Sequence, residues 1–473
     1  MKYRASTGLF ALLAASAAIQ AVAQQSPMLA STKIDQDVNA ALQRFAVPGA
    51  AIMVVSNGRV VRTGAFGLRD VQHNLPVRTD TPFEIGSITK QFTAASILQL
   101  QEAGKLQIDK LLSSYLPDAP HASEVTLRQL LTHTSGLHDY LDGPDEEVDR
   151  LASRPISYQD LISRVASLPL DFPPGSKWSY SNTGYLLLGK VIEAVSGEPY
   201  QAYLQHHILN PLHMKNTFTT AEESRLPMAI GYRHVNGKLE IAPIIDASWG
   251  QAAGFLVSTL HDLALWDAAL RGGKIVSAAS YRQMTAPFMT SENGSADYGL
   301  GLFVDSVYGQ PRVGHTGGTQ GSTTADEYFP ALGIRIIAFT NSGDRTPEPG
   351  EALTNIVFAD LYPDIASNAQ KPAQDENAAV TQTVRAAFRE LQTGKVYTSF
   401  SLRLKDKLAN GAGAKFIANL GPYGEATAEV FKGARQEGAN RWYDYMVQFG
   451  PGVFLPFKVK IGQDGVVDGF SVG

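Results

Sequence analysis

Strand-like runs stand near both ends of residues 30–365, and helical patterns fill the middle. Residues 50–56 are almost wholly apolar, Asn57-Gly58 makes a two-residue hairpin turn, and residues 59–65 run back. Strand-like runs then return at 298–304, 327–329 and 334–340. From about 105 to 235 the pattern is mostly helical, broken by Pro and Gly. A chain in this order must bring its two ends together to complete a sheet, with a helical region inserted between them.

The helices have readable limits. Ile34, Val38, Leu42 and Phe45 recur at helical spacing. Residues 88–103 predict an amphipathic helix closed by Gly104, and 261–271 a helix closed by Gly272-Gly273.

With 473 residues the chain is too long for one compact core. Residues 363–380 are rich in Pro, Ala, Gln, Asn and Asp, lack periodicity and read as a linker. The expected division is residues 24–365, a linker at 366–380, and a small α+β domain at 381–473. That last part carries helical patterns near 381–391 and 400–409, then strand-like runs near 426–432, 440–448, 453–460 and 466–472. It holds no catalytic or metal-binding motif.

Lys2 and Arg4 precede an apolar, Ala-rich stretch and the small residues Ala21-Val22-Ala23. This pattern predicts a signal peptide over residues 1–23, cleaved after Ala23, and a periplasmic or secreted protein. No later stretch is apolar for 18 residues, so no transmembrane segment is expected after the signal. The absence of cysteine excludes disulfides, a thiol nucleophile and cysteine-ligated zinc. A net charge of −5 without a long basic run gives nucleic acid no electrostatic footprint.

Three motifs carry chemistry. The first is Ser87-Ile88-Thr89-Lys90. A serine hydroxyl is a poor nucleophile until its proton is removed. At i and i+3 on a helix the two side chains meet, and a lysine made neutral by burial can take that proton. The same four residues also suit Ser87 as a helix cap with Lys90 in solvent. The second is Tyr180-Ser181-Asn182, in a turn before a helix near 184–196. A phenol coupled to Lys can shuttle a proton, and an amide can hold both Lys and substrate. The third is Gly314-His315-Thr316-Gly317-Gly318, between strand-like runs. Its glycines admit a close backbone approach, and Gly318 N–H could join Ser87 N–H in an oxyanion hole.

The order Ser-x-x-Lys, Tyr-x-Asn, His-Thr-Gly resembles the penicillin-recognising serine hydrolases. The nearest branch is the group of class C β-lactamases, D-alanyl-D-alanine carboxypeptidases, D-aminopeptidases and family VIII esterases. Residues 83–90 (FEIGSITK), 127–137 (LRQLLTHTSGL) and 254–259 (GFLVST) are similar to that group as well. The resemblance covers roughly 30–365 and implies an α/β (α+β) sandwich: an antiparallel sheet flanked by helices, with an adjoining all-α region. It implies that Ser87 forms an acyl-enzyme, that Lys90 and Tyr180 share base and acid work, and that Asn182 positions Lys90 and the substrate. His315, Thr316 and Gly317 would line the sheet side, with Gly318 in the oxyanion hole, and neither cofactor nor metal is implied.

One position departs from the pattern. β-Lactamases of this group carry Lys where this chain has His315, and a His is mostly neutral at pH 7. The resemblance therefore leans toward a carboxypeptidase-like hydrolase of D-amino-acid peptides. A carboxylesterase or weak β-lactamase using the same site is the alternative, and a non-catalytic peptide or cell-wall binding protein is the alternative of another class. Arg312 is near enough in sequence to offer a carboxylate-binding charge, but strand alternation puts i and i+3 on opposite faces. No Gly-x-Ser-x-Gly elbow or His-Glu-x-x-His motif is present, and His206-His207 reads as a surface pair.

Overall fold

The computed structural model describes residues 32–473, apart from 143–150, 220–225, 291–293, 296, 344–347, 375, 394–397, 410–419, 421–422, 438–439, 463 and 473. The expected signal peptide lies outside the described residues. Helix α1 (Thr32–Arg44) leads into β1 (Gly49–Ser56) and β2 (Arg59–Asp70), followed by the short β3 (Leu75–Pro76). The Asn57-Gly58 turn carries positive φ at both residues, as a tight two-residue hairpin requires. The buried helix α2 (Thr89–Glu102) comes next, then α3 (Leu127–Leu131), α4 (Asn182–Ser196), α5 (Ala247–Gly254) and α6 (Leu260–Arg271). Strands β4 (Phe303–Val307), β5 (Gln310–Gly318), β6 (Thr323–Phe329) and β7 (Ile334–Thr340) return at the far end.

These strands form one antiparallel sheet ordered β4-β5-β6-β7-β1-β2-β3. The two chain ends meet where β7 pairs with β1, from Ala50 opposite Thr340 to Ser56 opposite Ile334. Side chains alternate across a strand. Ala51, Met53, Val55, Ile337 and Phe339 therefore face α2 and the all-α region, in one core. Ala50, Ile52, Val54, Ile336 and Ala338 face the other way, toward α1 and α7 (Pro349–Leu361). Both faces are covered, which is why β1 and β7 read as nearly unbroken apolar sequence.

The C-terminal part holds α8 (Ala378–Thr393), α9 (Leu402–Ala409) and a second antiparallel sheet. Its strands, in order, are β8 (Ala428–Glu437), β9 (Asn440–Gln448), β10 (Phe454–Ile461) and β11 (Val467–Val472). Phe431, Val447, Phe457 and Val459 belong to the same hydrophobic cluster as α1, α7 and α8. Asn355 Nδ2 on α7 donates to Gly452 O at 3.1 Å.

Three expectations need correction. The stretch read as a linker is partly helical (Pro363–Ala369), buries Ala366, and bonds through Ala373 N to Phe431 O. Helix α2 is not amphipathic, because it is buried on all sides. Residues 298–302 precede β4 rather than forming its start. There Gly301 has φ +73°, and a Cβ on it would lie 2.7 Å from Lys90 O, so the backbone crosses α2 too closely for a side chain.

Candidate active site

Ser87 lies in a single 3₁₀ turn, Gly86–Ile88, that runs straight into α2. Lys90 follows in the first helical turn and is fully buried. Lys90 Nζ is 3.1 Å from Ser87 Oγ, 2.8 Å from Asn182 Oδ1 and 2.6 Å from Ala253 O. The alternative of a solvated Lys90 is thereby excluded. Burial lowers its pKa to about 7, and the charge of Asp139 works in the opposite direction.

The three contacts define what Lys90 can do. Asn182 Oδ1 and Ala253 O can only accept. A neutral amine gives its two hydrogens to them, and its lone pair then faces the Ser87 hydroxyl. Ala253 O is presented by a distortion in α5. Gln251 has φ +34° and ψ −123°, and beyond this kink the carbonyls of Ala252 and Ala253 accept from Thr93 Oγ1 and Lys90 Nζ. A non-glycine residue in such a region stores strain, which is characteristic of functional sites.

Tyr180 packs its ring 4.6 Å from Lys90 Nζ and stacks on the buried His133 at 4.2 Å. Its hydroxyl is buried without a hydrogen bond of regular geometry. Burial raises its pKa well above 10, and Ser87 is the hydrogen-bonding neighbour that opposes the rise. Tyr180 is thus a phenol at neutral pH, and of the two candidate bases Lys90 has the suitable pKa.

His315 is 2% exposed, and both its nitrogens are occupied. Nδ1 can only donate to Thr316 O, so Nε2 is unprotonated and accepts from Tyr298 Oη at 2.8 Å. Burial and the nearby Lys90 lower its pKa to about 3, so the ring is neutral. Direct contact with a substrate requires exchange of one of these bonds. Thr316 is half-buried and Gly318 is open to solvent. Arg312 lies on the other face, ion-paired to Asp305, Glu327 and Glu351.

The backbones of 86 and 317–318 are in contact. Gly86 has φ +50°, and a Cβ on it would be 2.6 Å from Gly318 N. A Cβ on Gly317 would be 2.0 Å from Ile85 O. These glycines let the turn that carries Ser87 and the Gly317-Gly318 backbone approach each other closely, the arrangement an oxyanion hole built from both would need.

All eight expected residues therefore fall in one region: Ser87, Lys90, Tyr180 and Asn182 on the helical side, His315, Thr316, Gly317 and Gly318 on the sheet side. Sequence reasoning missed Asp139, Tyr298 and the Ala253 carbonyl, each of which contacts one of the eight. Asp139, two residues beyond the 127–137 stretch, and Ala253, immediately before the 254–259 stretch, had a nearby signal, whereas Tyr298 had none. Among the described residues no cluster of His, Asp and Glu could hold a metal ion.

Comparison with known proteins identifies the family. The family described as Beta-lactamase matches residues 34–361. Penicillin-binding protein 4* of Bacillus subtilis (strain 168) is 30% identical over 357 residues, 71% of this chain and 77% of that protein. PbpX of the same strain, also named as a penicillin-binding protein, is 34% identical over 272 residues. That match spans 57% of this chain and 65% of PbpX, just under two thirds of its length. Among solved structures, a D-stereospecific amidohydrolase from Streptomyces sp. superposes with a TM-score of 0.60 at 27% identity, covering 70% of this chain and 98% of that one. An octameric penicillin-binding protein homologue from Pyrococcus abyssi shares the fold over 93% of this chain and 99% of its own (TM-score 0.63, 24% identity).

Proposed function

The chain belongs to the β-lactamase family of serine hydrolases, and on that premise we propose that it is an exported enzyme forming an acyl-enzyme on Ser87 with amides or short peptides of D-amino acids. The observation that carries this reading is the buried Lys90, whose pKa of about 7 and two fixed carbonyl acceptors suit it to deprotonate Ser87. In the proposed cycle Lys90 takes the Ser87 proton as Oγ attacks the substrate carbonyl. The amides of Ser87 and Gly318 hold the oxyanion. Tyr180 passes a proton to the leaving amine and is recharged from Lys90. Water then repeats the steps to release the acid.

The likeness to a D-stereospecific amidohydrolase supports a D-configured acyl group. The N-terminal pattern of Lys2, Arg4 and Ala21-Val22-Ala23 supports export, and no described helix is long and apolar enough to cross a membrane.

A second reading is favoured by one observation. Neither His315, held neutral, nor Arg312, held on the far face, offers positive charge to a substrate's terminal carboxylate. This suits an amidase or carboxylesterase better than a strict carboxypeptidase. A panel of a D-amino-acid amide, a D-Ala-D-Ala peptide, a short-chain ester and a cephalosporin, run beside Ser87→Ala, separates the readings. Labelling by a fluorophosphonate at Ser87 tests the acyl-enzyme itself, and no adduct on folded protein would sink it.

A further inference from the structure

Asp139 lies just beyond α3, in a segment to which neither the motifs nor the family match assigns a role. Its Oδ2 accepts from Asn182 N at 2.8 Å and from Asn182 Nδ2 at 2.9 Å, while Oδ1 accepts from Leu141 N at 2.9 Å. An amide side chain has two ends, one donating and one accepting. With Nδ2 held by Asp139, Asn182 can present only its carbonyl to Lys90. Were the amide turned over, Nδ2 would point at Lys90 and compete with Ser87 for the amine's lone pair.

We propose that Asp139 is the positioning residue of the acylation machinery, gripping both N–H groups of Asn182 so that the Lys90 lone pair faces only Ser87. This rests on the reading of Ser87 and Lys90 as nucleophile and base. Asp139 also sets the electrostatics of the base. The other groups facing Lys90 are Ser87 on its own turn, Tyr180, Tyr185 and Asn182 around the start of α4, His133 after α3, and His315 on β5. Burial keeps both tyrosines protonated, and burial with the Lys90 charge keeps both histidines neutral. The charge acting on Lys90 is that of Asp139, which raises its pKa against burial.

Two substitutions separate the two effects. In Asp139→Asn an amide oxygen can still accept both Asn182 N–H groups, but the charge is gone. The rate of Ser87 labelling by a fluorophosphonate should keep its plateau at high pH within a few-fold. Its acid limb should move to lower pH, because Lys90 loses the charge that raises its pKa. In Asp139→Ala the grip is lost too, and the plateau should fall at least about tenfold, part of the 10²–10⁴ that positioned proton transfer supplies. In an Asn182→Ala background the further change Asp139→Ala should cost almost no additional plateau rate, since Asp139 then holds only the backbone N–H of residue 182 and no side-chain amide that orients Lys90. Circular dichroism and melting curves identify folded variants, and the Asp139→Asn profile stands alone if Asp139→Ala fails to fold. An unmoved acid limb in Asp139→Asn overturns the proposal, as does additive loss in the Asn182→Ala background. If wild type itself takes no label at Ser87, it is the acyl-enzyme reading that fails.

Discussion

A methyl group on Gly86 would sit 2.6 Å from the amide nitrogen of Gly318, closer than a Cβ comes to the backbone of another segment. The nucleophile's turn and the end of β5 thus touch through backbone alone. Gly86→Ala must push the two amides apart and also strain a residue at φ +50°. The expected result is a fall in kcat for a p-nitrophenyl ester of about 10²-fold or more, with a smaller change in KM. Gly58→Ala is the control for strain alone, since Gly58 has φ +78° and no atom within 4 Å of the added carbon. It should cost about 1–2 kcal/mol of stability and leave kcat unchanged. Wild-type turnover in Gly86→Ala would remove these amides from the oxyanion site.

Activity should depend on pH through Lys90. Its pKa of about 7 means that the amine gains its lone pair as pH rises through neutrality. We expect kcat/KM to climb with pH on an acid limb centred near 7. The limb cannot belong to His315, whose pKa is lowered to about 3. Lys90→Ala should lower kcat/KM by at least about 10²-fold, and what remains should lose the limb. A limb retained in Lys90→Ala would assign it to another group.

The parts of this architecture written in local spacing were legible in advance, and the parts made by distant contacts were not. Ser87 and Lys90 meet because three residues make nearly one helical turn, and Asn182 stands at the start of α4 next to the turn that carries Tyr180. Strands β9 and β10 fell close to their expected limits, because alternation and turn residues are local signals. Helix α2 was misread as amphipathic because Lys90, Thr93 and Ser96 look like a wet face. The carbonyls of Ala252, Ala253 and Phe92 satisfy them inside the protein instead. Two of these acceptors lie about 160 residues away, behind a kink that no periodicity announces. Asp139 and Tyr298 stayed hidden for the same reason, since each acquires its role from a partner on another element.

Holding Lys90 in the interior has a cost that depends on pH. Its folded pKa lies below its unfolded value of 10.5, so between about 7 and 10.5 the unfolded chain binds the extra proton. Stability from this group therefore rises with pH across that window, and the penalty is greatest at and below about 7. Lys90→Met removes the buried charge while keeping much of the volume. It should raise the melting temperature at pH 7 and do so by less at pH 9.5. An equal gain at both values would mean that Lys90 titrates normally in the fold.

Arg312 offers the converse case, a buried cation with carboxylates on three sides. It donates to Glu327 at 2.5 Å, to Glu351 at 2.7 Å and to Asp305 at 2.6 and 2.8 Å. Glu327 is 1% exposed and cannot recover hydration if its partner is removed. Breaking a buried pair from one side typically costs roughly 3–5 kcal/mol, because the remaining charge is stranded. Arg312→Ala should lose stability on that scale, mainly through Glu327, since Asp305 and Glu351 are partly open to water. Burial already pushes the Glu327 carboxyl up, and Arg312 is what pulls it down. Without the arginine the folded state holds a proton that the unfolded chain releases. The variant should then regain stability as pH falls from 8 toward 5, which denaturant melts at several pH values would record. Turnover of a short-chain ester should stay within about threefold of wild type, because Arg312 and His315 are three positions apart along β5 and so face opposite sides of the sheet. A large loss of turnover in a well-folded Arg312→Ala would instead mean that the outer face of the sheet reaches the reacting groups.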